Sequence, residues 1–164
     1  MKKRAQSTMS LPFNWIFAIF LIIIFIMIAV YGINYFLNLG TCSRIGLGLD
    51  DLQQKLDQAR GSSTSDFTAA IDLPGIQQLC FGNLSGSITG AQDIYSAISL
   101  YEFEDANTFL YPPSNACGLH FKKLVGLDLA NTTTKINPYC IPAVNGNINV
   151  HFIKNTYDKE VIIK

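Results

Sequence analysis

The sequence predicts an α+β fold: a long N-terminal helix, membrane-spanning and then amphipathic, followed by a small antiparallel β-rich domain with two disulfides. Three observations predict it. Trp15 to Leu37 is almost continuously apolar, Cys42 to Leu56 keeps apolar residues at helical spacing, and from Phe67 onward the chain breaks into short segments punctuated by Gly, Pro, Asn and Ser.

The first segment is a membrane helix. No charged residue occurs between Ala5 and Ser43, and WIFAIFLIIIFIMIAVYGINYFL (15–37) is long enough as a helix to cross a hydrocarbon core about 30 Å thick. A secretory signal has a shorter apolar region and a small-x-small cleavage site, which this run lacks. Ser10 is a candidate cap, and Pro12 fits a first helical turn, where backbone N–H groups have no intrahelical partner. Trp15, Tyr31 and Tyr35 fall near the interfaces, where amphipathic aromatics are favoured. Gly32 and Asn34 have two readings, a helix–helix contact or an asparagine reaching interfacial water. Lys2, Lys3 and Arg4 precede the helix, so the positive-inside rule predicts a cytoplasmic N-terminus and an outer C-terminal part at the cell membrane.

The expected organisation is a basic leader (1–13), a transmembrane helix (14–38), an amphipathic continuation (39–60) and an extracytoplasmic α+β domain (61–164). Cys42, Ile45, Leu49, Leu52 and Leu56 make one helical stripe, with Gly46 and Gly48 weakening its first turn and Gly61 as a stop signal. A bend is expected near Gly40 to Gly48. FTAAIDL (67–73) and IQQLCF (76–81) flank Pro74-Gly75 and read as two strands or a hairpin. Residues 82–90 read as a turn or short strand, AQDIYSAISLYEF (91–103) as a helix with Ile94, Ala97, Ile98 and Tyr101 on one face, and 111–115 as a loop. GLHFKKLVGL (118–127) reads as a strand. NINVHFI (147–153), with Ile148, Val150 and Phe152 inward, pairs with the closing EVIIK across a turn.

The chemistry-bearing residues are few. Cys42, Cys80, Cys117 and Cys140 all follow the apolar run and show no zinc spacing, so two disulfides in an oxidising compartment are expected, with all three pairings open. His120 and His151 read as exposed strand residues. Glu102, Glu104 and Asp105 read as a solvated acidic loop whose spacing matches no calcium loop. GLGLD (46–50) lacks the context of a nucleotide-binding turn. No catalytic, cofactor-binding or metal-ligating residue is expected, and no enzyme. Lys2, Lys3 and Arg4 come off a balance of 12 cations and 12 anions, so the outer part is weakly acidic, which argues against nucleic acid as a partner. Asn83-Leu84-Ser85 and Asn131-Thr132-Thr133 are sequons, making Asn83 and Asn131 candidate glycosylation acceptors.

The leader Lys2-Lys3-Arg4-Ala5 followed by Gln6-Ser7-Thr8-Met9-Ser10 resembles the archaeal class III prepilin signal, and the helix-then-β plan resembles type IV pilins. The resemblance implies cleavage between Ala5 and Gln6. Where such pilins carry a glutamate near the mature N-terminus, this chain has Ser10, which removes a carboxylate thought to pair with a neighbouring subunit's amine. Two functions follow as expectations. One is a single-pass, surface-displayed structural or binding protein whose partners are the bilayer and, through the N-terminal helix, other envelope proteins or copies of itself. The other is a pilin-like filament subunit.

Overall fold

The computed structural model describes residues 10–164, apart from the side chains of residues 10–14 and of Asn38. Helix α1 runs Ser10–Gly61, through Gly40, Gly46 and Gly48. After it come β1 (Ser65–Asp72), β2 (Gln78–Phe81), α2 (Gln92–Ile98), β3 (Thr108–Tyr111), β4 (Phe121–Lys122), α3 (Leu129–Thr132), β5 (Tyr139–Pro142), β6 (Asn147–Lys154) and β7 (Ile162–Ile163). The fold is α+β, with antiparallel sheets and two disulfides. The described residues form two compact units that divide between Gly40 and Thr41, so the amphipathic part of α1 belongs with the sheets.

Within the second unit, β1, β6 and β7 form one sheet in the order β1-β6-β7. Its core face follows from alternation: Phe67 opposes Phe152, Ala69 opposes Val150 and Ile71 opposes Ile148. The rings of Phe67 and Phe152 stack at 5.2 Å. The other sheet is ordered β4-β3-β2-β5. Both of its faces are covered. Leu79, Phe81 and Leu110 join the main core, while Cys80 and Phe109 pack with Ile94 and Ile98 of α2. The expected face of that helix is therefore the one it buries, and Ser99–Tyr101 adds one 3-10 turn.

The helical stripe packs with residues of both sheets. Ile45, Leu49, Leu52, Leu56 and Ala59 are buried with Leu79, Phe81, Leu110, Ile148 and Phe152 in one cluster. Gly48 is needed for close approach, since a Cβ there would strike the Asp72 carbonyl oxygen and the Leu73 side chain. Polar ties flank the stripe. Gln53 donates to Val125 O at 3.1 Å and accepts from Val125 N at 3.0 Å. Lys122 Nζ reaches Asp50 Oδ1 at 2.6 Å and Leu49 O at 3.2 Å.

Of the two readings of 67–81, two strands holds and a hairpin does not: Pro74-Gly75 turns the chain, but β2 enters the other sheet between β3 and β5. Leu73 and Ile76 are drawn into the core on either side of the turn, which parts the two strands. The strand expected over 118–127 is reduced to Phe121–Lys122, because Gly118 and Gly126 adopt positive φ and Leu124 N donates to Asn107 Oδ1 instead of to a strand. His120 precedes that strand and lies half-buried, so it is not an exposed strand residue. Strands β3 and β5 and helix α3 were not foreseen. The hairpin of β6 and β7 is as expected, with Phe152 opposite Ile163.

Leu52→Ala and Leu56→Ala are each expected to cost about 2–5 kcal/mol of stability, as buried leucine truncations do, against less than about 0.5 kcal/mol for Leu47→Ala, a residue that is 66% exposed. Gly48→Ala is expected to destabilise by about 1–3 kcal/mol through overpacking, although alanine is the better helix former. Denaturant unfolding of the detergent-solubilised protein measures all four.

Candidate functional site

Two regions of the chain carry its functional geometry: the apolar part of α1, and the outer surface of the second unit with its disulfides. Within α1, an 18-residue window reaches a mean hydropathy of 3.1 with none of it buried, so the helix is long and apolar enough to cross a membrane. Its large side chains from Trp15 to Leu37 and at Leu39 are exposed apart from the half-buried Ile24, with Trp15 at 71% and Phe36 at 73%. A patch of that size is not left facing water by a soluble monomer, so lipid or protein must cover it. Asn34 is exposed, and a Cβ at Gly32 would meet nothing within 4 Å, which leaves that short-residue surface open for close approach. The leader residues, with Ala5 and Gln6, lie outside the described residues.

The four cysteines pair as Cys42–Cys117 and Cys80–Cys140. The second is a cross-strand bridge, since Cys80 and Cys140 are directly opposed in the β2–β5 register, with Cα atoms 4.0 Å apart. It lies inside the α2 cluster. The first ties α1 to the loop after Pro113–Asn115, where Cys117 is exposed and adopts φ 53. Sequence spacing could not choose this pairing, because one bridge depends on strand order and the other on where a loop meets α1.

The two histidines are structural ties. His120 Nδ1 lies 2.9 Å from the Pro113 carbonyl, which can only accept, so Nδ1 carries the proton there. Its ring stacks on Tyr101 at 5.3 Å. His151 Nε2 lies 2.7 Å from Asp66 Oδ1 across the β1–β6 pair, on the polar side of that sheet. In the acidic loop, Asp105 pairs with Lys123 Nζ at 2.6 Å. Among the described residues no cluster of His, Cys, Asp and Glu side chains is gathered to hold a metal ion.

A feature that the sequence did not indicate is a cleft of about 440 Å³ lined by Thr132, Lys135, Ile136, Tyr139, Ile163 and Lys164, among others. Two separated stretches, 131–139 and 162–164, meet there, so no single local pattern marks it. Burial pushes the Tyr139 hydroxyl above its ordinary pKa of 10.0, keeping it a neutral donor. Asn83 and Asn131 are both exposed. No family model, curated protein or solved structure matches the chain.

Two outcomes are expected. Under mild reductant, Cys42–Cys117 opens before Cys80–Cys140, because attack needs access to sulfur and Cys117 is exposed, whereas Cys80 is buried and Cys140 half-buried. Differential alkylation followed by peptide mapping reads the order. Because the folded pKa of Tyr139 lies above the unfolded one, its contribution is intact below pH 10.0 and is lost as pH rises through the folded value. Tyr139→Phe should therefore lose stability less steeply above pH 10.0, read by unfolding at stepped pH.

Proposed function

We propose that this chain is a single-pass membrane protein that displays an oxidised, non-enzymatic α+β domain on the outer side of the cell membrane, where it has a structural or binding role. The observation that carries the reading is the division of α1. Its first part exposes apolar side chains all round, and its later part buries one stripe among two sheets. Lys2, Lys3 and Arg4 before the helix support a cytoplasmic N-terminus, and two disulfides suit an oxidising exterior.

A second reading is supported by the leader together with that helix. In a type IV pilin-like subunit processed between Ala5 and Gln6, an exposed apolar helix segment would pack against those of other subunits, and the sheet-covered part would remain with the domain. Such packing requires removal of Lys2, Lys3 and Arg4, because charges in an apolar bundle are costly unless paired. Ser10 leaves this subunit without the glutamate that pilins use in assembly.

The mass of the N-terminal peptide from protein isolated in its native membrane separates the two. A chain that keeps Lys2, Lys3 and Arg4 is expected of a fixed anchor. A chain beginning at Gln6 is expected of a filament subunit. Protease added to intact cells tests what both share: digestion of residues 62–164 supports an outer domain, and full protection sinks both readings.

A further inference from the structure

The two sequons occupy opposite local environments, and only one presents its reactive groups. Asn83 begins the turn after β2. Its backbone carbonyl accepts from Gly86 N at 3.1 Å, and its side-chain Oδ1 accepts from Ser85 N at 3.2 Å. With Oδ1 engaged, the amide is oriented while Nδ2 has no hydrogen-bond partner among the described residues, and neither has the Ser85 hydroxyl. Both residues are exposed.

The turn is held from within. Asn137, 8% exposed, accepts from Asn83 N at 3.1 Å and donates to Asn83 O at 2.8 Å and to Ser87 O at 3.1 Å. Leu84, between the two sequon residues, is 5% exposed and packs into the α2 cluster. The backbone is thus clamped inward, leaving the asparagine amide and the serine hydroxyl at the surface.

The other sequon is spent on its own helix. Asn131 Nδ2 donates to Asp128 Oδ2 at 2.6 Å, and Asn131 N donates to Asp128 Oδ1 at 2.9 Å, which caps α3. The hydroxyl of Thr133, third residue of that sequon, donates to Leu129 O at 2.7 Å. A transferase would have to dismantle the cap to reach either group.

We propose that Asn83 is an N-glycan acceptor and that Asn131 is not, the donor being a lipid-linked oligosaccharyl phosphate or diphosphate used by a membrane transferase on the outer side. In the transfer, Asn83 Nδ2 forms a bond to the anomeric carbon as the bond from that carbon to phosphate oxygen breaks. The lipid phosphate leaves with the electron pair, one amide proton passes to a base, and nothing is oxidised or reduced. The required hydroxyl is that of Ser85. The inference rests on the outer placement proposed above.

The test is peptide mapping by mass spectrometry of the full chain from its native membrane, beside protease treatment of the same intact cells. The expected result is a protease-accessible domain with a glycan on the Asn83 peptide and a bare Asn131 peptide. Ser85→Ala, which keeps the backbone N–H of the turn, should abolish the glycan, and Asn131→Gln should leave glycan occupancy unchanged. A bare Asn83 in an accessible domain overturns the assignment and leaves the topology standing. A bare Asn83 in a protected domain overturns both. A glycan on Asn131, or one that survives Ser85→Ala, also overturns it.

Discussion

The domain depends on one helical stripe. Ile45, Leu49, Leu52, Leu56 and Ala59 recur at the period that keeps them on one face, and both sheets contribute side chains to the cluster around them. The three-stranded sheet has a polar outer face, so its apolar side needs this stripe to exclude water. The four-stranded sheet needs it on one face and α2 on the other. Neither sheet is large enough to make a core alone. Gln53 on Val125, Lys122 on Leu49 and Asp50, and the absent Cβ of Gly48 fix how closely the helix approaches.

The same helix presents two different surfaces along its length. From Thr41 onward it obeys the amphipathic rule of a globular protein, polar outside and apolar within. Before Gly40 the rule lapses, and apolar groups cover the whole circumference. Such a surface is stable only where lipid or similarly apolar helices replace water. Both functional readings start from this contrast and differ in what covers the first segment.

The helix, its stripe and the last hairpin were legible in the sequence because each has a period of its own: a long uncharged run, apolar residues at steps of three and four, and alternation in NINVHFI. The central sheet was harder. TFLY (108–111) and YCIP (139–142) are short and carry no clear alternation, and their partner QLCF lies far away in the chain. Pro74-Gly75 gave a true turn signal, yet turn chemistry says nothing about which strand pairs next. The number of disulfides was readable and their partners were not, since one pairing depends on the order β4-β3-β2-β5 and the other on the docking of a loop against α1. The sequons were visible as motifs, but their difference lies in hydrogen bonds from Asp128, Leu129 and Asn137, which the motif does not contain.

The bridge from Cys42 to Cys117 also sets how the domain bears tension. A pull along the chain from the apolar segment arrives first at Thr41 and then at Cys42, where it divides between the helix backbone and a covalent shortcut to Cys117. Residues 43–116, which hold the stripe, β1, β2, α2 and β3, lie off the stretched path and cannot be drawn out between the chain ends while that bond is intact. Within the domain only the chain beyond Cys117 can lengthen, and the Cys80–Cys140 bond ties part of that to the shielded portion. A tether under flow or traction would thus strain β6 and β7, which follow Cys140, while the two sulfur–sulfur bonds hold the stripe, β1, β2 and β3 in place.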